Sequence, residues 1–310
     1  MEFCCSLYPY DRWNDVDEMA RAVRAMDALG FHGLSLSEHI AVPLVDGQSS
    51  IGDSWPDVLV LASYFAGQTS RLRFLFYAMV APYRNPVILA KQIATLDQVS
   101  GGRTMFTFAS GWLDGEFDAL GVPMEDRGER LDEYIRAMQE LWTSDRPSFA
   151  GKYVSFSDIV FEPKCVQQPH PPLLIGGSGR RPLDRALELG DGWAPMLGTA
   201  DDLGRDIARL KVRAADRGRN PDDLRFMFSV QVGEGDETVQ ATFRHVGDEE
   251  MVVTGGSDRT ATAVSTLQTY AEVGVTHMML VFGWETADDY IANLEWLAAD
   301  VIPQVARAAR

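Results

Sequence analysis

The chain has little cysteine, no excess of positive charge and no long apolar run. Its three cysteines are Cys4, Cys5 and Cys165. An odd count without a Cys-x-x-Cys pair argues against a disulfide framework or a zinc site. The adjacent Cys4 and Cys5, if they lie on a strand, point to opposite faces. The pattern fits small buried residues in a reducing cytoplasm. Lys plus Arg is 28 and Asp plus Glu is 45, so 28 − 45 leaves −17. An acidic surface repels phosphate backbones, and no basic and aromatic cluster opposes it, which argues against a nucleic-acid partner. The longest apolar run, Phe74 to Pro82, falls far short of the ~20 residues of a membrane helix, so no membrane partner is expected. There is no basic region followed by an apolar core at the N-terminus, hence no secretory signal is expected. Histidine is also scarce, at five. None sits in a His-Glu-x-x-His spacing, so no metal site is expected.

What is present is an apolar content of 46%, enough for a real core. Strand-like runs alternate with helix-like ones. Strands are expected at Glu2–Leu7, Gly33–Ser37, Leu72–Val80, Arg103–Ala109, Leu173–Ile175, Gly192–Met196, Leu224–Val232 and Met278–Phe282. Between them, apolar residues recur at helical spacing over Asp15–Leu29, Pro56–Ala66, the stretch after Asn85-Pro86, Gly128–Trp142, Pro182–Leu189, Asp201–Arg217 and Thr260–Val273, with Ala287–Ala298 last. Asn85 suits a helix cap, Pro86 the first helical position, and Ser100-Gly101-Gly102 a helix end. Eight strand–helix units at this length predict an α/β protein, a closed (β/α)8 TIM barrel in one domain over 1–310. Two segments, 143–171 and 233–256, read as insertions, the first with a hairpin over Tyr153–Phe161.

In such a barrel, sites form at the carboxyl ends of the strands. His39 follows the second strand there, beside Glu38, and histidine is the side chain most easily poised to exchange a proton near neutral pH. His32, His170, His245 and His277 lack that context and read as structural. Gly176-Gly177-Ser178-Gly179-Arg180 joins a strand to a helix. Glycines at such a junction let the backbone approach a phosphate, whereas alone they equally make a tight turn. Trp112, Trp193, Trp13 and Trp284 are candidates for the walls of an apolar pocket, with Met196 at the end of a strand. Glu116 reads as a solvated helix carboxylate, with a role at a cofactor as the alternative.

The motifs Arg84-Asn85-Pro86, Leu96-Asp97, Ser100-Gly101-Gly102-Arg103 and Gly111-Trp112 resemble the luciferase-like family of flavin- and deazaflavin-dependent oxidoreductases. So do Glu116 to Gly121, Arg127 to Glu133, Leu29-Gly30-Phe31 with Glu38-His39, Ile175-Gly176-Gly177 and Leu189 to Trp193. These span about residues 20 to 200 in one order. The resemblance implies a luciferase-like barrel and an enzyme acting on a small-molecule substrate. It places Glu38 and His39 in catalysis, and the cofactor against Tyr77, Ala78, Ser110, Gly111, Trp112 and the loop Gly176, Gly177, Ser178, Gly179 and Arg180. It also implies a non-proline cis peptide at Tyr77-Ala78, a bulge behind the cofactor ring, although Tyr77 stands where a small residue is usual. The motif order looks most like the deazaflavin branch, implying coenzyme F-420. The alternative is flavin mononucleotide (FMN) in a monooxygenase fed by a separate reductase. A reading of another class is a cofactor-free partner subunit. The family often dimerises, so a homodimer is one expectation. Substrate specificity is expected in the loops Ala41–Trp55 and Gly233–Gly256.

Overall fold

The structure, a computed structural model, describes residues 1–49, 51–232 and 258–308. In chain order its elements are β1 (Glu2–Ser6), α1 (Val16–Leu29), β2 (Gly33–Leu36), α2 (Val58–Ala66), β3 (Arg73–Val80), α3 (Pro86–Ser100) and β4 (Thr104–Ala109). Then follow α4 (Asp114–Leu120), α5 (Arg127–Thr143), β5 (Phe149–Ala150), β6 (Ser155–Phe156), β7 (Leu173–Gly176), α6 (Arg180–Leu189), β8 (Gly192–Ala194) and α7 (Ala200–Asp216). The rest are β9 (Arg225–Gln231), α8 (Arg259–Glu272), β10 (His277–Val281), α9 (Ala287–Trp296) and α10 (Ile302–Ala308). Eight strands close a barrel in the order β1-β10-β9-β8-β7-β4-β3-β2, every neighbouring pair parallel. All eight lie where apolar runs place them. The insertion expected at 233–256, its loop and His245 fall outside the described residues.

Local chemistry sets the helix ends. The Asn85 side-chain oxygen Oδ1 accepts from the Val87 and Ile88 amides, with Pro86 in the first turn. Gly101 closes α3 at φ 68°, a left-handed conformation that glycine adopts without steric cost. Asp57 rather than Pro56 starts α2, because its carboxylate accepts from the Leu59 and Val60 amides. The hairpin differs from expectation. It pairs Phe149 with Phe156 and Ala150 with Ser155, short of the expected Tyr153–Phe161. The Glu133 carboxylate on α5 accepts from the amides of Lys152, Tyr153 and Val154 at 2.8, 2.6 and 2.8 Å. That anchors the turn at Tyr153, a long-range contact the alternation does not contain.

The core has two layers. Between barrel and helices lie residues such as Phe76, Phe106, Leu89 and Ile93. Inside the barrel lie Cys4, Leu75, Tyr77, Met105, Leu174, Ala194, Met227, Met279 and Val281. Cys4 belongs to the inner layer and Cys5 to the outer, as strand alternation requires. Burial pushes both thiols up from their usual range. Among the described residues no helix is long and apolar enough to cross a membrane.

At the amino end of the barrel a buried histidine, His277, packs against the half-buried His32. His277 and His32 rings lie 5.3 Å apart. Burial, then the charges of His32, Arg225 and Arg73, hold His277 down to about 3. The unfolded chain therefore binds a proton that the folded chain refuses between about pH 6.5 and 3. This contribution is fully present above the unfolded value and is lost as pH falls. His277→Gln should flatten the decline in melting temperature between pH 7.5 and about pH 5. Parallel curves for the variant and the parent would refute that assignment.

Candidate active site

The parallel barrel brings His39, Ser110, Gly177 and Met196 to one edge, after β2, β4, β7 and β8. His39 is the focus. Its Nδ1 lies 3.0 Å from the Glu116 carboxylate. Glu116 sits in the first turn of α4 and is completely buried, so it is not the solvated carboxylate expected from its helical position. It also accepts from the Tyr83 hydroxyl at 2.8 Å, the Ala41 amide at 3.0 Å and the Ile40 amide. Burial works to raise its pKa. The bonds from His39, the Ile40 amide and Tyr83 outweigh burial and hold it down to about 2. An ionised carboxylate only accepts, so the network assigns the Nδ1 proton to this bond. Nε2 has no hydrogen bond among the described residues, so in the neutral ring it is the open acceptor. Burial and the Glu116 charge raise the Tyr83 phenol, which stays a donor.

Glu38 is next to His39 in the chain, and its side chain turns away from it. It does not pair with its neighbour His39. Its buried carboxylate meets Arg84 at 2.7 Å and accepts from the Val80 amide at 2.9 Å. Burial pushes it above the usual carboxylate range, against the pull of Arg84 and that amide. Glu38 thereby ties the segment after β2 to the end of β3.

The Tyr77-Ala78 peptide is cis, as the resemblance implies. The β3–β4 register shifts between Phe76 and Met79 at the same point. Ser37 Oγ donates to the Tyr77 carbonyl at 3.0 Å. The Tyr77 side chain itself turns into the barrel interior and donates to the Pro195 carbonyl. Tyr77 therefore reaches the mouth through its backbone, and the half-buried Ala78 forms the bulge's surface.

Gly111 has φ 86°, and an added Cβ would stand 2.7 Å from the Phe117 ring and 2.8 Å from Val80. Only glycine lets this segment lie against α4. The Gly111 carbonyl accepts from Arg127 Nε at 3.1 Å, with Ser110 and Trp112 half-buried on either side. Gly177 and Gly179 have φ 105° and 89°. Gly179 caps α6 without a side-chain acceptor, so the first amides of the helix face an exposed rim with Ser178, Arg180 and Arg181.

The aromatic walls differ from expectation. Trp112 does approach His39, with rings 6.1 Å apart. Trp55 is closer, at 4.6 Å, and Tyr8 stacks on it at 5.2 Å. Trp13 and Trp284 instead pack 4.5 Å from each other in the outer layer, and Trp13 donates to the Leu7 carbonyl. Trp193 also faces outward, donating to the Gly177 carbonyl at 2.8 Å. It braces the glycine loop rather than lining a pocket. Met196 is half-buried against the barrel interior. A cavity of about 680 Å³ opens beside His39, lined by Ile40, Val42, Leu44, Gln48 and Trp55 among others, within the loop expected to set specificity. Glu116, Tyr83, Trp55 and Tyr8 were not legible as one group, since they come from four separate segments. The nearest signal was the Glu116-Phe117 motif.

A model of the luciferase-like monooxygenase family matches residues 5–291. The chain is 32% identical over 169 residues to an FMNH2-dependent dimethylsulfone monooxygenase of Pseudomonas putida, covering 54% of this chain and 46% of that one. The match thus spans less than half of that relative. In structure the chain is similar to an F420-dependent secondary alcohol dehydrogenase, at TM-score 0.78 and 17% identity over 98% of this chain and 99% of the other. It is equally similar to the oxygenating constituent of 3,6-diketocamphane monooxygenase from Pseudomonas putida, at TM-score 0.78 and 18% identity over 98% and 99%.

Proposed function

This chain belongs to the luciferase-like monooxygenase family, and on that premise we propose that it is an oxidoreductase using coenzyme F-420 to move a hydride to or from a small organic molecule at His39. The observation that carries the reading is the His39–Glu116 pair, with His39 two residues after Ser37, whose hydroxyl bonds the carbonyl of the cis Tyr77-Ala78 peptide. Bound F-420 supplies a carbon that gives or takes a hydride and reacts poorly with oxygen. The residues present fit such a group. The glycine loop and the open amides of α6 suit its phosphate, the bulge suits the back of its ring, and Gly111 permits close approach.

His39 then handles the proton that accompanies the hydride. In the oxidative direction Nε2 takes a hydroxyl proton, while Glu116 holds the ring and faces the charge that forms. In the reductive direction the same nitrogen returns a proton to the substrate oxygen. Trp55 and Trp112, which approach the His39 ring at 4.6 and 6.1 Å, limit water around it.

A second reading, a monooxygenase using reduced FMN from a separate reductase, is favoured by the identity to the dimethylsulfone enzyme. Equilibrium titration of the purified protein separates the two. F-420 should bind at micromolar concentration and at least ~10-fold more tightly than reduced FMN, a difference of ~1.4 kcal/mol. Micromolar binding of reduced FMN without F-420 binding would overturn the choice. Binding of neither would favour the cofactor-free partner reading.

A further inference from the structure

Strand β9 carries polar groups that the active-site network leaves unused. Phe226, Phe228 and Val230 belong to the outer layer, and Met227 to the barrel interior. With period-two alternation, Ser229 and Gln231 share the interior face with Met227. No irregularity interrupts the β9–β10 register, which ends at Gln231 opposite Val281. Gln231 is only 1% exposed, yet among the described residues neither its amide nitrogen nor its amide oxygen has a hydrogen-bond partner. The Ser229 hydroxyl, two residues deeper, is likewise buried and unpartnered. Buried polar groups are normally satisfied, so two adjacent exceptions on one face require an explanation.

Their place in the ring supplies one. In the closed barrel β9 lies four strands from β3 by either route. Gln231, at the carboxyl end of β9, therefore stands directly across the mouth from the Tyr77-Ala78 bulge. If the cofactor ring rests on that bulge, as the function above has it, Gln231 faces the reactants from the opposite wall. Its carboxamide offers two donors and an acceptor. The interior side chains near it on β8 and β10, Ala194, Met279 and Val281, carry no charge.

We propose that Gln231, seated above Ser229, is a substrate-recognition residue that binds a neutral group able both to donate and to accept a hydrogen bond, such as a carboxamide or a hydroxyl. A charged group is disfavoured there, because no described interior side chain beside Gln231 carries a charge to neutralise it. This rests on the oxidoreductase reading for the meaning of the bulge, but the unpartnered amide stands without it.

The test uses the whole protein, free of cofactor, labelled at its methionine methyl groups. Propionamide serves as the neutral probe and propionate as the charged one. Propionamide at tens of millimolar should shift the Met227 and Met279 methyl resonances saturably, and propionate should not. Gln231→Leu should weaken propionamide binding at least ~10-fold, the loss of one good polar contact. The same variant should raise the melting temperature by ~2 °C or more, because it removes an unpaired buried amide. F-420 affinity should be unchanged in Gln231→Leu. Absence of saturable shifts in the parent, equal affinity in the variant, a preference for propionate, or a lower melting temperature for Gln231→Leu would each overturn the proposal. Failure of the parent to bind either F-420 or FMN would instead overturn the function proposed above, and would leave the propionamide result to decide the role of Gln231.

Discussion

Glu116→Ala should lower turnover ~100-fold or more, the scale expected when general acid–base chemistry is lost. It should also destabilise the protein. The carboxylate accepts from His39, Tyr83 and the Ile40 and Ala41 amides, and alanine leaves all four donors unpaired. Each buried orphan costs ~1–3 kcal/mol, so a total loss of ~3–6 kcal/mol is expected after partial relaxation. His39→Ala should lower turnover by a similar ~100-fold but cost much less stability, since Glu116 keeps its other three donors. If the two residues act as one unit, the double variant should be hardly slower than either single one. Multiplying effects would show that they act separately, and full turnover in folded Glu116→Ala would remove the pair from catalysis.

Glu116→Gln separates charge from shape. The amide still accepts through its oxygen, but it presents a donor where His39 or Tyr83 already donates. Turnover should fall while most of the stability remains. The pH dependence has a definite sign. A carboxyl held down to about 2 in the fold, against 4.5 when free, contributes stability above pH 4.5 that is lost as pH falls toward 2. The shift corresponds to ~3 kcal/mol. Denaturation curves should show that acid slope in the parent and a shallower one in Glu116→Gln.

Gly192→Ala should have the largest effect on folding. A Cβ there would stand 1.9 Å from the Arg225 carbonyl oxygen and 2.7 Å from its carbonyl carbon. That oxygen belongs to the neighbouring strand β9, so no side chain can move aside. The two strands must separate, which breaks barrel closure and displaces Trp193, the donor to Gly177. A loss of more than ~4 kcal/mol, seen as insoluble or molten protein, is expected for such a backbone clash. Gly101→Ala provides the contrast. Gly101 has φ 68° and nothing within 4 Å of an added Cβ. Its cost is the left-handed conformation alone, ~1 kcal/mol. Equal melting temperatures for the two variants would refute the packing argument.

The barrel was legible because its signals are local. A strand covered on both faces reads as a short apolar run, and a barrel helix as a 3.6-residue period, whatever either packs against. Glycine at 101 and asparagine at 85 act within one turn of themselves, so sequence alone marks those ends. The hairpin was misplaced by a few residues because Glu133 fixes its turn from 19 to 21 positions away.

The sequence by itself determined the alternation of strands and helices, the family motifs and the placing of His39 just past a strand. Local hydrogen bonding and side-chain periodicity suffice for those. Tertiary structure decided which carboxylate meets His39. Glu38 is one residue away and turns to Arg84, whereas Glu116 is 77 residues away and makes the bond. It also sent Trp13 and Trp284 to the outer layer, put Trp55 beside His39, and left Gln231 buried with no partner among the described residues. The reason is geometric. Barrel closure sets side chains from distant segments at contact distance, and burial then makes each of those contacts or omissions energetically large.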